Sequence, residues 1–236
     1  MRNILTIAKR ELGAYFNSPI AYIVIPAYLL VSGYLFFAQA FIAGEASLRA
    51  FFGLAPLLFI FFFPAVTMRL LAEEKRSKTI ELLITMPVTD WQVVLGKFFG
   101  ALGVLVAALG LTLCYALTLA SLGDLDWGVT VAGYLGLLLL GGTYIAIGLM
   151  ASSWTRHQVA ASLITVGVTF ALYILGYYVA DMPKAVGPVV EYLSLDAHFR
   201  NIARGVIDTR DLVYYFSLIG GCLFLATQSL DSRRWR

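Results

Sequence analysis

The sequence predicts an all-α membrane protein with six transmembrane helices. Three observations carry that prediction. The 236-residue chain is 60% hydrophobic and only 13% charged, whereas a soluble globular domain carries about a quarter charged residues. Its apolar residues fall in long blocks, six of which approach or exceed the roughly 20 residues a helix needs to cross hydrocarbon. Its Lys and Arg side chains lie mostly on one side of the topology those blocks define.

The blocks are residues 20–42, 51–71, 96–122, 128–152, 158–180 and 212–230. Positive loops stay cytoplasmic. With the N-terminus inside, the inner segments hold Arg2, Lys9, Arg10, Arg69, Lys75, Arg76, Lys78, Lys97, Arg156, Arg233, Arg234 and Arg236. The outer ones hold Arg49, Lys184, Arg200, Arg204 and Arg210. Both termini are therefore expected in the cytoplasm. Trp91, Trp127, Trp154 and Trp235 fall near the expected interfaces, as membrane aromatic belts do.

Residues 1–18 read as a different object. Ile4, Leu5, Ala8, Leu12, Tyr15 and Phe16 gather on one side of a helical wheel, and Arg2, Asn3, Thr6, Lys9 and Arg10 on the other. That pattern predicts an interfacial amphipathic helix, with Lys9, Arg10 and Glu11 on the membrane surface. "NSP" at 17–19 breaks it. Ser18 can cap the next helix, and Pro19 suits its first position. Scattered charge and the lack of an uninterrupted apolar run argue against a cleavable signal.

Several function classes find no support. The spans are expected to contain almost no buried charge, which weighs against an ion-coupled carrier. Arg69, at the inner end of the second span, is expected to snorkel to the headgroups. Cys114 and Cys222 sit in apolar spans and read as packed or lipid-facing, without disulfide or metal. His157 and His198 lie in different loops, so no metal site is expected and no enzyme. The only Gly-Lys pair, Gly96-Lys97, fails the phosphate-loop pattern at both flanks. Any ATP must be bound by another chain. A net charge of +3 gives no argument for nucleic acid.

The densest charge lies in "RLLAEEKRSKTIELLITMPVTDWQVVLGK", residues 69–97. Residues 70–86 read as a helix continuing past the membrane, with Glu74 and Lys78 as an i, i+4 pair and Glu81 beyond. Ile80, Leu83 and Ile84 give it an apolar flank, and Pro87 stops it. "TDWQ" at 89–92 is a capping-box pattern for the next helix. A merely solvated loop gains nothing from "TIELLITM", whereas an amphipathic helix suits a groove on a partner. "GKFFG" places Gly96 and Gly100 at small-xxx-small spacing, and Gly142 and Ala146 repeat it. Pro26, Pro56 and Pro64 would kink the first two spans. In the outer 5–6 loop, Phe199, Ile202, Ala203 and Val206 form an apolar face, Gly205 ends that helix, and Asp208 or Thr209 caps the sixth span. Short helices dipping back to the membrane are expected there. They either close an exit for a lipid-like substrate or merely cover the bundle.

The stretch "AEEKRSKTIELLITMPVTDWQVVLGKFFGAL" resembles the segment after the second span in ABC-2 type transport permeases. The matching residues are Glu73, Glu74, Arg76, Thr79, Glu81, Leu82, Leu83, Pro87, Gly96 and Lys97. "AKRELGAYFNSPIAYIV" resembles that family's connecting helix and first span. "EYLSLDAHFRNIARGVIDTRDLVYY" resembles the outer loop of the branch that includes gliding-motility-associated permeases. The resemblance implies a permease subunit, an exporter by expectation, paired with a second permease subunit and two separate ATPase subunits that bind ATP and Mg. It also implies that the helix between spans two and three is a coupling helix, with Glu73, Glu74, Arg76, Lys78, Thr79, Glu81, Leu82, Leu83 and Pro87 meeting the ATPase. Phe199, Ile202 and Val206 become candidates for an outer gate. A variant of the same architecture passes ATP-driven motion to a periplasmic or envelope partner without moving a substrate. An ion-coupled carrier and a passive membrane scaffold are the remaining alternatives.

Overall fold

A computed structural model describes residues 2–43, 47–77, 88–178 and 187–231, with the backbone alone over 39–43. Lys78, Thr79, Glu81, Leu82, Leu83 and Pro87 lie outside these residues, as do Lys184, Trp235 and the C-terminal arginines. The described residues are helical, without strands. The elements are α1 (Arg2–Phe16), α2 (Pro19–Ala43), α3 (Arg49–Thr67), the short α4 (Ala72–Arg76), α5 (Asp90–Leu122), α6 (Trp127–Trp154), α7 (Gln158–Tyr178), α8 (Gly187–Leu193), α9 (Leu195–Ala203) and α10 (Thr209–Asp231). Helices α2, α3, α5, α6, α7 and α10 carry the six stretches long and apolar enough to span a bilayer.

Local chemistry sets the helix ends. Thr89 and Gln92 form the expected capping box: each side chain accepts the other residue's backbone amide at 3.4 Å. Asp126 caps α6 by accepting from Gly128 and Val129 amides at 3.0 and 3.2 Å. Ser194 caps α9, and Asp208 accepts from the Arg210 amide at 2.9 Å to start α10. Gly205 follows α9 with φ +89°, a conformation other residues rarely adopt. Ser18 acts differently from the expectation. Its hydroxyl donates back to the Tyr15 carbonyl at 3.1 Å and so satisfies the end of α1. Pro26, Pro56 and Pro64 all lie within helices.

Helix α6 is the centre of the bundle, packed by α3, α5, α7, α9 and α10 and buried along most of its length. Its small residues permit close approach. A Cβ on Gly148 would stand 2.1 Å from Thr67 Oγ1 of α3, while Gly142 has only ordinary contacts, the nearest being Ile219 at 3.5 Å. The other helices expose apolar side chains on their outer faces, including Leu30, Tyr34, Leu117, Leu163 and Phe216. Trp91, Trp127 and Trp154 stand exposed at helix ends. Six crossings return the chain to the end where it started. The Ser229 hydroxyl donates to the Ser153 carbonyl at 2.9 Å, and the Phe224 ring lies 6.3 Å from that of Trp91. We call this the near end, and the opposite one, where α3 and α6 begin, the far end.

The second span does not continue as one helix past the membrane. Helix α3 ends at Thr67, residues 68–71 turn, and α4 begins at Ala72. The cause is tertiary. The Ser152 hydroxyl accepts the Leu71 and Ala72 amides at 3.0 and 2.9 Å and donates to the Met68 carbonyl at 3.3 Å. Those groups find partners on α6 in place of a continuing helical ladder.

Gly148→Ala is expected to destabilise the protein by about 1–3 kcal/mol, because a methyl there forces two buried helices apart. Gly110→Ala, where nothing lies within 4 Å of the added carbon, is expected to be neutral or slightly stabilising. Thermal unfolding of the two purified variants in detergent checks the contrast.

Candidate functional site

The near end gathers most of the described ion pairs around one lysine. Helix α1 lies across the start of α5, where Gly96 and Gly100 leave room for it. A Cβ on Gly96 would meet Ile7 at 2.6 Å, and one on Gly100 would meet Glu11 Cβ at 2.6 Å. The small-residue face of the third span thus receives the amphipathic helix. The face of α1 that packs carries Ile4, Ile7, Ala8, Glu11 and Leu12, whereas Leu5 is exposed. Lys9 and Arg10 are exposed too, as expected for the polar side.

Glu11 is the polar group on the packed face, and it meets Lys97. The Lys97 side chain is 2% exposed, with its ammonium 3.0 Å from Glu11 Oε1 and 2.7 Å from Glu74 Oε1. This corrects the expectation that the spans hold almost no buried charge. Lys97 sits where the third span begins, and it is neutralised by α1 on one side and α4 on the other. Glu74, expected to pair with Lys78, is held by Lys97; Lys78 lies outside the described residues. Arg69, at the inner end of the second span, donates from Nε to Glu73 Oε2 at 2.7 Å.

Hydroxyls complete the junction. The Tyr15 hydroxyl donates to the Val66 carbonyl at 2.7 Å, satisfying one of the last carbonyls of α3. Ser152 holds the turn after α3, and the buried Lys75 ammonium donates to the Ser153 carbonyl of α6. Helices α1, α4, α5 and α6 are therefore tied at one point. Between α1, residues 69–77 and the start of α5 lies a cavity of about 270 Å³ lined by Glu11, Tyr15, Arg69, Glu73, Glu74 and Lys97, among others. Glu74 Oε2 is buried there without a hydrogen-bond partner.

Among the described residues no group of three His, Cys, Asp or Glu side chains is placed to hold a metal. Of the residues expected to meet a partner ATPase, Glu73, Glu74 and Arg76 are described. Glu74 faces inward to Lys97, Glu73 is half-buried against Arg69, and Arg76 is exposed.

Residues 14–195 match the family model described as ABC-2 family transporter protein, well over half of the chain. The chain belongs to the ABC-2 transporter family. No curated protein matches it. Membership makes it the membrane-spanning permease component of an ABC transporter, a multi-pass transport subunit and not itself the catalyst. Within this ABC-2 permease, Tyr15, the 69–77 segment, Lys97 and Ser152 fall inside the matched stretch. Glu11 and α10 fall outside it.

At the far end of the permease, α9 packs on α6, α7 and α3, and the short α8 contacts α7 and α9. Phe199 and Ile202 are buried and press on Gly136 of α6. Val206 follows Gly205 and is exposed, so it does not share their apolar face. Sequence reasoning missed what pins this cap. His198 is buried on α9, with Nδ1 2.5 Å from Asp211 Oδ1 of α10 and Nε2 3.0 Å from the Tyr192 carbonyl. Tyr214 stacks on it at 4.0 Å, and the Tyr214 and Tyr215 hydroxyls donate to the Leu193 and Leu195 carbonyls.

Lys97→Met leaves two carboxylates facing each other without their cation and is expected to cost about 3–5 kcal/mol. Glu11→Gln, Glu74→Gln and Lys97→Met combined remove all three charges and are expected to recover most of that loss. Thermal unfolding in detergent distinguishes the two.

Proposed function

We propose that this permease is driven by a separate ATPase subunit docking on the 70–88 segment, and that it works as an exporter in the inner membrane with both termini cytoplasmic. The observation that carries the reading is the Lys97 junction. It joins the start of the docking segment to α1 on one side and to the third span on the other, while Ser152 joins it to the central helix. A push on the segment would then move these elements together. ATP and Mg bind to the partner. Closure of the partner drives the permease only if docking differs between its states. A second permease subunit completes the assembly. Glu81, Leu82 and Leu83, with Lys78, Thr79 and Pro87, supply the rest of the contact, and Glu73 and Arg76 flank it. At the far end, Phe199 and Ile202 form the gate, which opens by lifting α9 from Gly136.

A second reading keeps this drive but passes the motion to a periplasmic accessory protein, in the manner of a motility-associated branch. It draws on Tyr192, Leu193, Val206 and Ile207, which leave exposed apolar side chains on and beside the far-end short helices.

The test is co-purification with a nucleotide-binding subunit, followed by ATPase stimulation in the reconstituted complex. Glu81→Ala with Leu83→Ala is expected to weaken docking about tenfold or more, as loss of interface anchors does, and to reduce stimulation accordingly. Failure to co-purify with such a subunit, or unchanged stimulation in the variant, would sink the reading.

A further inference from the structure

A second cleft opens at the far end, away from the coupling junction. It has a volume of about 230 Å³ and lies between the start of α3, the end of α7 and helix α9. Three guanidinium groups border it, Arg49, Arg200 and Arg204, with Asp196 as its one carboxylate. Arg200 pairs with Asp196 and stands over the Tyr177 ring at 5.2 Å, so its orientation is set in advance. Among the described residues, Arg49 and Arg204 make no ion pair, and both are exposed. Among the described residues the cleft therefore presents two cations without an ion pair beside a fixed third.

Its other walls are apolar. Phe52, Phe199 and Ala203 line it from within the core, and the Tyr177 ring, 56% exposed, is its accessible aromatic surface. Gly53 adds no side chain, and nothing lies within 4 Å of where its Cβ would stand. Arg49 is the first residue of α3, whose following residues are almost all apolar, and Tyr177 and Tyr178 stand exposed at the end of α7. Basic groups and tyrosines at the end of apolar helices mark the headgroup level. A soluble anion would use the guanidiniums but gain nothing from the aromatic walls. An anionic amphiphile uses both.

We propose that this cleft binds the phosphate headgroup of an anionic phospholipid from the leaflet at the far end, with Arg49 and Arg204 holding the phosphate. Guanidinium–phosphate contacts are charge-assisted and geometrically matched. Arg200, already paired to Asp196, shapes the wall between them. The proposal rests on membrane insertion alone and stands or falls independently of how the near end is driven.

The full-length permease, purified in mild detergent, is titrated with phosphatidylglycerol, phosphatidylcholine or inorganic phosphate, and lipid binding is read by native mass spectrometry and thermal shift. Phosphatidylglycerol is expected to bind about tenfold more tightly than phosphatidylcholine. Arg49→Gln with Arg204→Gln is expected to abolish that preference while melting like the parent in phosphatidylcholine. Arg156→Gln, an exposed cation at the near end, is expected to leave it intact and controls for general attraction between basic residues and anionic lipid. Equal binding of the two lipids, or a preference that survives the double substitution, would overturn the proposal. A shift with inorganic phosphate equal to that with phosphatidylglycerol would overturn the lipid assignment in favour of a soluble anion.

Discussion

The ammonium of Lys97, held between Glu11 and Glu74 at 3.0 and 2.7 Å, sets the arrangement of the near end. A buried cation without counter-charges costs several kcal/mol, so Lys97 cannot be accommodated unless α1 and α4 are both in place. The glycines flanking it make that geometry available. Gly96 and Gly100 let the backbone of α1 come close to α5, which brings Glu11 within reach. The same requirement fixes the register of α1, since a shift of one residue would carry Glu11 off the packed face.

The buried pairs need not add stability over a well-packed apolar core, and their best-attested use is to specify register. Register is what a force-transmitting junction requires. On the proposed reading, the docking segment must not slide against the helices it moves. Three devices oppose sliding here: the Lys97 ion pairs, the Ser152 hydroxyl holding both sides of the turn after α3, and the Tyr15 hydroxyl on the last turn of α3. The break between α3 and α4 belongs with them. The turn places α4 where Glu74 meets Lys97. At the far end the cap is held differently, by a buried histidine between an aspartate and a backbone carbonyl. The two ends thus depend on separate sets of interactions.

The parts of this structure that were legible in the sequence were those set by local chemistry. Span positions followed from hydropathy, the start of the third span from Thr89 and Gln92, and the end of α9 from Gly205. The parts that were not legible depend on contacts between residues far apart in the chain. Glu11 read as one more charge on a surface helix, because nothing within α1 shows that a lysine 86 residues later needs it. Gly96 and Gly100 were recognised as a close-packing face, but their occupant was not identified. The helix break after Thr67 has no local signal, since Met68–Leu71 are good helix formers. It arises from Ser152, 80 and more residues away. His198 read as an isolated loop histidine for the same reason.

The central claim is that α1, α4 and the start of α5 form one rigid unit locked by Lys97. Spin labels at positions 9 and 76, both exposed in the fold, allow a direct measurement of the α1-to-α4 distance by double electron–electron resonance in the purified protein. The account predicts one narrow distance distribution in the parent chain and a markedly broader one when Lys97→Met is added. A broad distribution in the parent, or an equally narrow one in the Lys97→Met variant, would contradict it.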